Sequence, residues 1–294
     1  MVKVIPLRFG TIFKKAFGDH EVFSAFVSDV LGVPIKVDVV HQEFRYPETV
    51  GRVNVTYDLF AEDVAHRTIV EIQHIREPDF FERFLHYHAV SIVEQITEHR
   101  DYRTARTVYT VVVLTTPPRD ERLSFSVAVT DMDPVNEQGN KLGVLCHRLV
   151  FLNPKNINDQ TPPAARRWME LIADSLDGVI DEGQYRDDLL KRVIGAIGSR
   201  SVSPDELARI KDEAAWESVL ADGRAEGRAE GIAEGVAKGR AEGAREMLFK
   251  LARALGIVFG PQDLARIEAC DDLVVLSRWM ERVPTAKSAA DVFE

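Results

Sequence analysis

The sequence has little cysteine, no long apolar run and no secretion signal. Its 294 residues include two cysteines, Cys146 and Cys270, whose wide separation is not the spacing of a metal site. This usage is typical of a reducing compartment, so we expect a cytoplasmic protein. The strongest apolar run, VYTVVVL, is far too short to cross a bilayer as a helix, and the first residues lack a cleavable apolar leader. We therefore expect no membrane partner.

Positive charge is also scarce. The chain has 37 Lys and Arg against 47 Asp and Glu, a formal net charge of −10, and neither half is basic. Proteins that bind nucleic acid usually present a basic surface to the phosphates, so composition argues mildly against such a partner. A function on DNA would have to depend on local geometry and on a cation that neutralises charge.

Hydrophobic periodicity predicts an α/β or α+β domain over roughly residues 1–200. Apolar residues at three- and four-residue spacing predict helices at 11–32, 79–102, 162–198 and 204–220. Segments rich in β-branched residues predict strands at 35–44, 52–63, 67–75, 107–116, 123–131 and 143–152. The near-continuous apolar strand at 107–116 is of the kind that is buried on both faces.

Three polar residues stand inside this strand-like sequence with the spacing D-x(12)-E-x-Q: Asp58, Glu71 and Gln73. Residues two apart in a strand share a face, so Glu71 and Gln73 point the same way. A hairpin whose turn is centred between positions 64 and 65 places Asp58 opposite Glu71. Two opposed carboxylates repel each other, unless a cation lies between them.

A hard divalent cation at this pair is sufficient for hydrolysing a phosphodiester. Mg²⁺ takes one or two carboxylates and leaves its other positions to water and substrate phosphate. It polarises the phosphoryl oxygen and lowers the pKa of a bound water. The backbone carbonyl of Ile72 is a candidate third ligand beside Asp58 and Glu71. The spacing is loose, however, and ordinary solvent-facing positions of a hairpin are the alternative explanation.

Other candidate residues lie on the flanking helices. Arg83 and Tyr87 are one helical turn apart and share a face, where they would hold a substrate phosphate. The structural alternative makes Tyr87 a core ring and pairs Arg83 with an acid such as Asp79. Lys14 and Lys15 on the first helix either touch a DNA backbone or belong to a solvated face.

The order of these motifs resembles the PD-(D/E)XK nuclease superfamily, and specifically its recombination-promoting nuclease/transposase branch. That branch has an FK-x-x-F first helix, an Asp strand, an E-x-Q strand and a helix of the type F-x-x-R-x-x-x-Y…Q…Y. The matching helix positions are Phe80 or Phe81, Arg83, Tyr87, Gln95 and Tyr102. The resemblance covers roughly residues 8–155, and more loosely the RLVFLNP segment and the helix around Trp168. It implies a restriction-endonuclease-like three-layer core, with a central mixed sheet flanked by helices.

By position, the resemblance implies that Asp58 and Glu71 are metal ligands and that Gln73 stands where many members have Lys. A lysine offers positive charge to the developing phosphorane, whereas glutamine offers only neutral hydrogen bonds and cannot act as a base. The related branch generally has this glutamine. The expected activity is therefore that of a weak or conditional DNA endonuclease that uses Mg²⁺, with Mn²⁺ as a substitute.

The composition changes abruptly near position 220. Glycine falls at 223, 227, 231, 235, 239 and 243, a strict period of four. Six glycines at about 1 kcal/mol each make a lone helix unfavourable, so a helix here makes sense mainly if something packs close to it. We expect a helical tail that mediates homo-oligomer formation through residues 220–245, and the alternative is a flexible charged spacer.

The resulting division is a nuclease-like domain at 1–200, a helical segment with the repeat at 201–245 and a small helical region at 246–294. Three functions stay open. The first is an endonuclease of low sequence specificity that promotes recombination or transposition-like rearrangement of DNA. The second is an inactive oligomeric scaffold of the same fold that binds DNA or protein. The third is a toxin-like RNase with the same site.

Overall fold

The computed structural model describes residues 1–46, 54–74, 80–99, 104–116 and 124–293, and these fall into two compact units, residues 1–217 and 218–294. The strands are β1 (Val2–Lys3), β2 (His41–Phe44), β3 (Tyr57–Glu62), β4 (His66–Gln73), β5 (Thr107–Leu114), β6 (Val127–Asp131), β7 (Arg148–Leu152) and β8 (Val179–Ile180). The helices are α1 (Gly10–Phe17), α2 (His20–Leu31), α3 (Phe80–His99), α4 (Pro163–Asp174), α5 (Asp188–Ile197), α6 (Pro204–Ala254), α7 (Pro261–Glu268), α8 (Leu273–Arg282) and α9 (Ala289–Phe293).

The first unit is built on a six-stranded sheet in the order β2-β3-β4-β5-β7-β6. The pairs β2–β3, β3–β4 and β6–β7 are antiparallel, whereas β4–β5 and β5–β7 are parallel. Strand β5 is the apolar segment TVYTVVVL, and seven of its eight residues are buried, as expected for a central strand. The mixed sheet with flanking helices confirms the predicted α/β fold.

Helices cover both faces of this sheet. On one face, α1, α2, α4 and α5 bury an aromatic cluster that includes Phe17, Phe26 and Trp168. On the other face, α3 packs Phe84 and Tyr87 against residues of the strands. Burying each large side chain of this kind contributes roughly 1.5–3 kcal/mol. The two cores hold the strand ends that carry the candidate site between rigid layers.

The predicted strand at 35–44 is largely wrong, because only His41–Phe44 is paired in the sheet. Ile35 and Val37 are buried, but serines of α2 satisfy their backbone groups. Ser28 Oγ accepts from the N–H of Ile35 at 2.8 Å, and Ser24 Oγ accepts from that of Val37 at 3.1 Å. The β-branched run therefore docks on a helix and forms no sheet ladder there.

The segments predicted at 143–152 and 162–198 also differ from prediction. The strand predicted at 143–152 begins only at Arg148, because the Asp133 carboxylate accepts hydrogen bonds from the N–H groups of residues 143, 144 and 145 and folds that segment into a loop. The helical segment predicted at 162–198 forms two helices, α4 and α5, with a non-helical stretch between them. A left-handed glycine, Gly178 at φ 85°, turns the chain between them into β8.

The second unit contains the glycine repeat and the C-terminal helices. The repeat is α-helical, as predicted, and is part of α6. A Cβ built on any of its six glycines would have open space around it. Helices α7, α8 and α9 form a small core with the last turns of α6, in which Leu248, Trp279 and Val292 are buried. Among the described residues, no helix is both long and apolar enough to cross a membrane.

Candidate active site

Asp58 and Glu71 lie opposite each other on the β3–β4 hairpin. Leu59 pairs with Val70 and Phe60 with Ile69, so the next position in register joins Asp58 to Glu71. The predicted hairpin is therefore right. The Asp63 carboxylate accepts from the N–H groups of residues 65 and 66 and fixes the tight turn that sets this register.

At this position each carboxylate bonds the backbone of the other strand. The N–H of Asp58 donates to Glu71 Oε1 at 3.1 Å, and the N–H of Ile72 donates to Asp58 Oδ2 at 3.0 Å. One oxygen of each side chain is thereby held in place. The second oxygen of each carboxylate takes no part in these two bonds.

The surroundings of both carboxylates favour a cation. Glu71 is 3% exposed, and burial, followed by repulsion from Asp58, raises its pKa well above the ordinary value. Burial also raises the pKa of Asp58, although the Ile72 N–H and the positive charge of Lys14 act in the opposite direction. Two opposed acids of which one is buried and the other partly buried cost folding energy, and a bound cation would offset that cost.

A positive charge does stand beside the pair, and it comes from α1. Lys14 Nζ is 4.0 Å from Asp58 Oδ1 and 2.8 Å from Glu43 Oε1. From the sequence, Lys14 and Lys15 had the same two alternative roles, whereas the structure gives them different partners. Lys15 Nζ instead donates to Ser201 O at 2.6 Å and Glu206 Oε2 at 2.9 Å. Only the packing of α1 against the sheet reveals this difference.

Glu43 is a second residue that sequence reasoning missed. In the β2–β3 register it stands opposite Asp58, since Gln42 pairs with Leu59 and Phe44 with Tyr57. Its φ of 53° is in the left-handed region, and no other non-glycine residue that the structure describes has a positive φ. This turn of the backbone brings the Glu43 carboxylate onto Lys14. No sequence pattern signals it.

Arg83 and Tyr87 are brought together, as predicted. Arg83 Nε donates to the Tyr87 hydroxyl at 3.3 Å and the guanidinium lies 5.3 Å from the centre of that ring. Tyr87 is 8% exposed, so it is also a core ring, whereas Arg83 is exposed. The charge of Arg83 opposes, without cancelling, the rise that burial causes in the pKa of both Asp58 and Glu71. The alternative partner of Arg83, Asp79, lies outside the described residues.

The other residues of the predicted motifs, Gln73, Gln95 and Tyr102, differ in what the structure shows of them. Gln73 ends β4 on the same strand as Glu71 and is aligned with Leu114 of β5. Gln95 is fully buried, and its amide oxygen accepts from the N–H of Arg106 at 2.8 Å, which ties α3 to the segment before β5. Its role is structural. Tyr102 lies outside the described residues.

The donor set suits a hard cation. Asp58 and Glu71 supply carboxylate oxygens, and the Ile72 carbonyl belongs to the residue whose N–H orients Asp58. Within the described part of the chain, no group of three or more His, Cys, Asp or Glu side chains is arranged to hold a metal ion. Two carboxylates are nevertheless the usual protein contribution to Mg²⁺, and the oxygen chemistry fits that ion better than zinc.

The first turns of α6 place further acids beside the first helix. Glu213 Oε1 accepts from the N–H of Thr11 at 3.0 Å and from its hydroxyl at 2.5 Å. Glu217 Oε2 is 3.8 Å from Arg8 and 3.9 Å from His74. The negative charge of Glu213 also raises the pKa of Asp58. Sequence reasoning assigned no role to these glutamates.

This fold and this hairpin define a nuclease-type α/β domain. Residues 8–218 match the model of a family described as PD-(D/E)XK nuclease family transposase, and the chain belongs to that family. Nucleases of this superfamily generally use divalent metals. No curated protein and no solved structure matches the chain.

Proposed function

We propose that the protein is a Mg²⁺-dependent DNA endonuclease of low sequence specificity that promotes recombination or transposition-like rearrangement in the cytoplasm. Mn²⁺ would substitute for Mg²⁺. The activity belongs to the domain at 1–200, with DNA as substrate. Membership of the nuclease family supports the reaction class, and the geometry of the hairpin supports the site.

The observation that carries the proposal is the opposed pair of Asp58 and Glu71. Both carboxylates are held by backbone N–H groups, and desolvation raises the pKa of both, of the buried Glu71 more than of the partly exposed Asp58. A purely structural pair would be expected in a form that costs less, such as one acid with one base. The pair therefore makes most sense as a cation site.

In this proposal Asp58, Glu71 and the Ile72 carbonyl hold the metal. When bound, the metal would activate a water and stabilise charge on the scissile phosphate. Gln73 would orient water or phosphate through neutral hydrogen bonds, since its amide cannot accept a proton as a base. Arg83 would bind a phosphate oxygen, with Tyr87 holding the guanidinium in position through its hydroxyl and ring.

The test is cleavage of supercoiled plasmid by purified full-length protein, with and without Mg²⁺ or Mn²⁺. Asp58→Asn and Glu71→Gln keep the shapes of the side chains and remove their charges. Glu82→Gln, on an exposed acid of α3, is the matched control. We expect metal-dependent nicked or linear product from wild type and Glu82→Gln, and at least a 100-fold loss in the two site variants, as is typical when a group that stabilises transition-state charge is removed.

Cleavage that persists in Asp58→Asn and Glu71→Gln would contradict the assigned site. No cleavage by folded wild type with any metal would contradict the enzyme proposal. Single-stranded RNA, included as a parallel substrate, distinguishes a DNase from a toxin-like RNase.

The second candidate function is an inactive scaffold of the same fold, which binds DNA or protein. The acids beside α1 favour it, because Glu206, Glu213 and Glu217 occupy basic and N–H groups that a DNA phosphate would otherwise contact. Gln73 favours it too, since it brings no charge. A scaffold would leave duplex DNA intact with and without Mg²⁺, and any binding of DNA that it shows would not depend on Mg²⁺.

We also propose that residues 220–245 mediate homo-oligomer formation. The helical repeat exposes a row of glycines with open space above it, which permits a close approach of two backbones. The repeat also carries separate rows of Arg and Glu residues, which are complementary between two copies.

A further inference from the structure

The Glu71–Ile72–Gln73 segment has no lysine, yet the ammonium group of Lys14, on α1, lies beside the carboxylate pair. Lys14 Nζ is 4.0 Å from Asp58 Oδ1, and its side chain is 14% exposed, so the charge lies within the fold and close to a proposed metal ligand. We propose that Lys14 is a catalytic residue. Its ammonium group would contact the scissile phosphate and supply the positive charge that Gln73 does not. This inference rests on the proposed nuclease function.

The position of Lys14 is built by several contacts. Phe13 and Phe17 of α1 are fully buried in the core, which fixes the helix. The backbone carbonyl of Lys14 accepts from Gln42 Nε2 at 3.1 Å, which ties the helix to β2. Only 14% of the side chain is exposed, and its ammonium lies beside Asp58. A lysine on a merely solvated face would be expected to be much more exposed.

Glu43 explains how the ammonium is held before substrate binds. Its carboxylate pairs with Lys14 at 2.8 Å but is 63% exposed, and an ion pair with a solvated carboxylate contributes little stability. The left-handed φ of Glu43 is a strained conformation for a residue with a side chain, and such strain is concentrated at functional sites. A phosphate oxygen would therefore exchange readily with this carboxylate and take the ammonium.

The chemistry balances without any further reactant. Water attacks phosphorus, one P–O bond forms and one breaks, and the leaving oxygen gains a proton. Negative charge increases on the non-bridging phosphate oxygens as the bond forms. A fixed ammonium beside those oxygens stabilises the transition state more than the ground state, which is the condition for accelerating the reaction.

Lys15 gives a matched control one residue away. It lies on the same helix and also pairs with a glutamate, Glu206, but its ammonium is committed to that carboxylate and to Ser201 O. The variants are Lys14→Met, Lys15→Met and the double variant Lys14→Met/Gln73→Lys, all in the full-length chain. The measurements are plasmid cleavage in Mn²⁺, Mn²⁺ affinity by calorimetry, and affinity for a short duplex in Ca²⁺.

We expect Lys14→Met to lower turnover about 100- to 1,000-fold, as removal of one charge-stabilising donor does elsewhere. Its Mn²⁺ affinity should stay equal or increase, because a positive charge beside the ligands is removed, while its duplex affinity in Ca²⁺ falls. Lys15→Met should stay within about threefold of wild type in turnover, as expected for loss of a surface ion pair. The lysine introduced at position 73 should restore much of the turnover lost in Lys14→Met.

Equal turnover in Lys14→Met and Lys15→Met, with active wild type, would overturn the role of Lys14 and leave the proposed function intact. A loss of turnover in Lys14→Met that tracks a loss of Mn²⁺ affinity would also overturn it, since Lys14 would then only position the ligands. Inactive wild type would overturn the nuclease proposal and the catalytic role of Lys14 together.

Discussion

The hydroxyl of Tyr57 donates a 3.0 Å hydrogen bond to the backbone carbonyl of Tyr87. Tyr57 begins β3 immediately before Asp58, and Tyr87 lies on α3 one turn after Arg83. The two rings also meet edge to face, with centroids 5.8 Å apart. This contact therefore joins the strand that carries a proposed metal ligand to the helix that carries the proposed phosphate-binding arginine.

We expect Tyr57→Phe to lower the free energy of unfolding by about 1–2 kcal/mol, because a buried carbonyl loses a partner. It should also lower plasmid cleavage, because β3 and α3 would no longer be tied together at the site. Urea denaturation measures the first effect. Tyr185→Phe is the control, since its hydroxyl bonds Asp174 at 3.0 Å away from the hairpin. If both variants cut equally well, the Tyr57 bond is structural only.

The metal-free protein should become more stable when Glu71 loses its charge. The folded pKa of Glu71 is raised above its ordinary value, so the native state holds a proton that the unfolded state releases. The free energy of unfolding then falls as pH rises from the ordinary pKa of a glutamate towards the raised pKa of folded Glu71, and it stays reduced at neutral pH. Glu71→Gln should raise the melting temperature by a few degrees at pH 7 in chelator, and the gain should shrink at acid pH.

Saturating Mg²⁺ supplies the second arm of this experiment. It should stabilise wild type and leave Glu71→Gln nearly unaffected, because ligand binding to the native state adds stability only where the site exists. An equal Mg²⁺ response in both proteins would place the metal elsewhere.

Acid should destabilise the protein partly through His88. This residue is fully buried, its Nδ1 is 2.9 Å from Thr110 Oγ1, and burial lowers its pKa to about 4 from an ordinary 6.5. The unfolded state therefore binds more protons, and stability is lost as pH falls from about 6.5 towards 4. The loss is on the order of 3 kcal/mol by pH 4, at about 1.4 kcal/mol for each pKa unit.

His88→Gln should flatten this pH dependence relative to wild type, as measured by urea denaturation between pH 7 and pH 4. The exposed His20, changed in the same way, provides the control and should leave the slope unchanged. An identical slope in wild type and His88→Gln would mean that His88 is not responsible.

Alanine at Gly231 and Gly235 tests the glycine repeat. A Cβ at either position meets nothing within 4 Å in a single chain, so each change should stabilise the helix by about 1 kcal/mol. If the glycine row is the contact between copies, the same methyl groups should weaken self-association. Circular dichroism measures the helix and sedimentation measures the assembly. Stronger helicity with unchanged assembly would exclude the glycine row as the interface.

The hairpin was predictable from the sequence because its contacts are local. A turn centred between positions 64 and 65 sets every later pair, including Leu59 with Val70, and the two carboxylates follow from that register. The mixed sheet was an expectation from the family resemblance that the order of motifs carries, because its parallel pairs join strands that are distant in the sequence. The helix at the glycine repeat was expected against its low intrinsic helix propensity.

The contribution of Lys14 and Glu43 was not predictable. Their approach to Asp58 depends on how α1 packs against an edge strand and on one left-handed residue, and neither leaves a periodic signal. The strand prediction for residues 35–40 was wrong for a related reason. Its composition is that of a strand, but Ser24 and Ser28 satisfy its backbone, and no local rule identifies those partners in advance.

The opposed acids on the β3–β4 hairpin also bear on how this fold changes over generations. Neutral residues at positions 58 and 71 should make the metal-free fold more stable, so the acidic pair lowers the folding stability of the domain that carries it. In a gene copy whose protein is no longer needed, substitutions at positions 58 and 71 would be expected to accumulate earlier than substitutions in the aromatic core. Under the proposed function, a related chain that has lost either acid would keep this fold and lack the cation site.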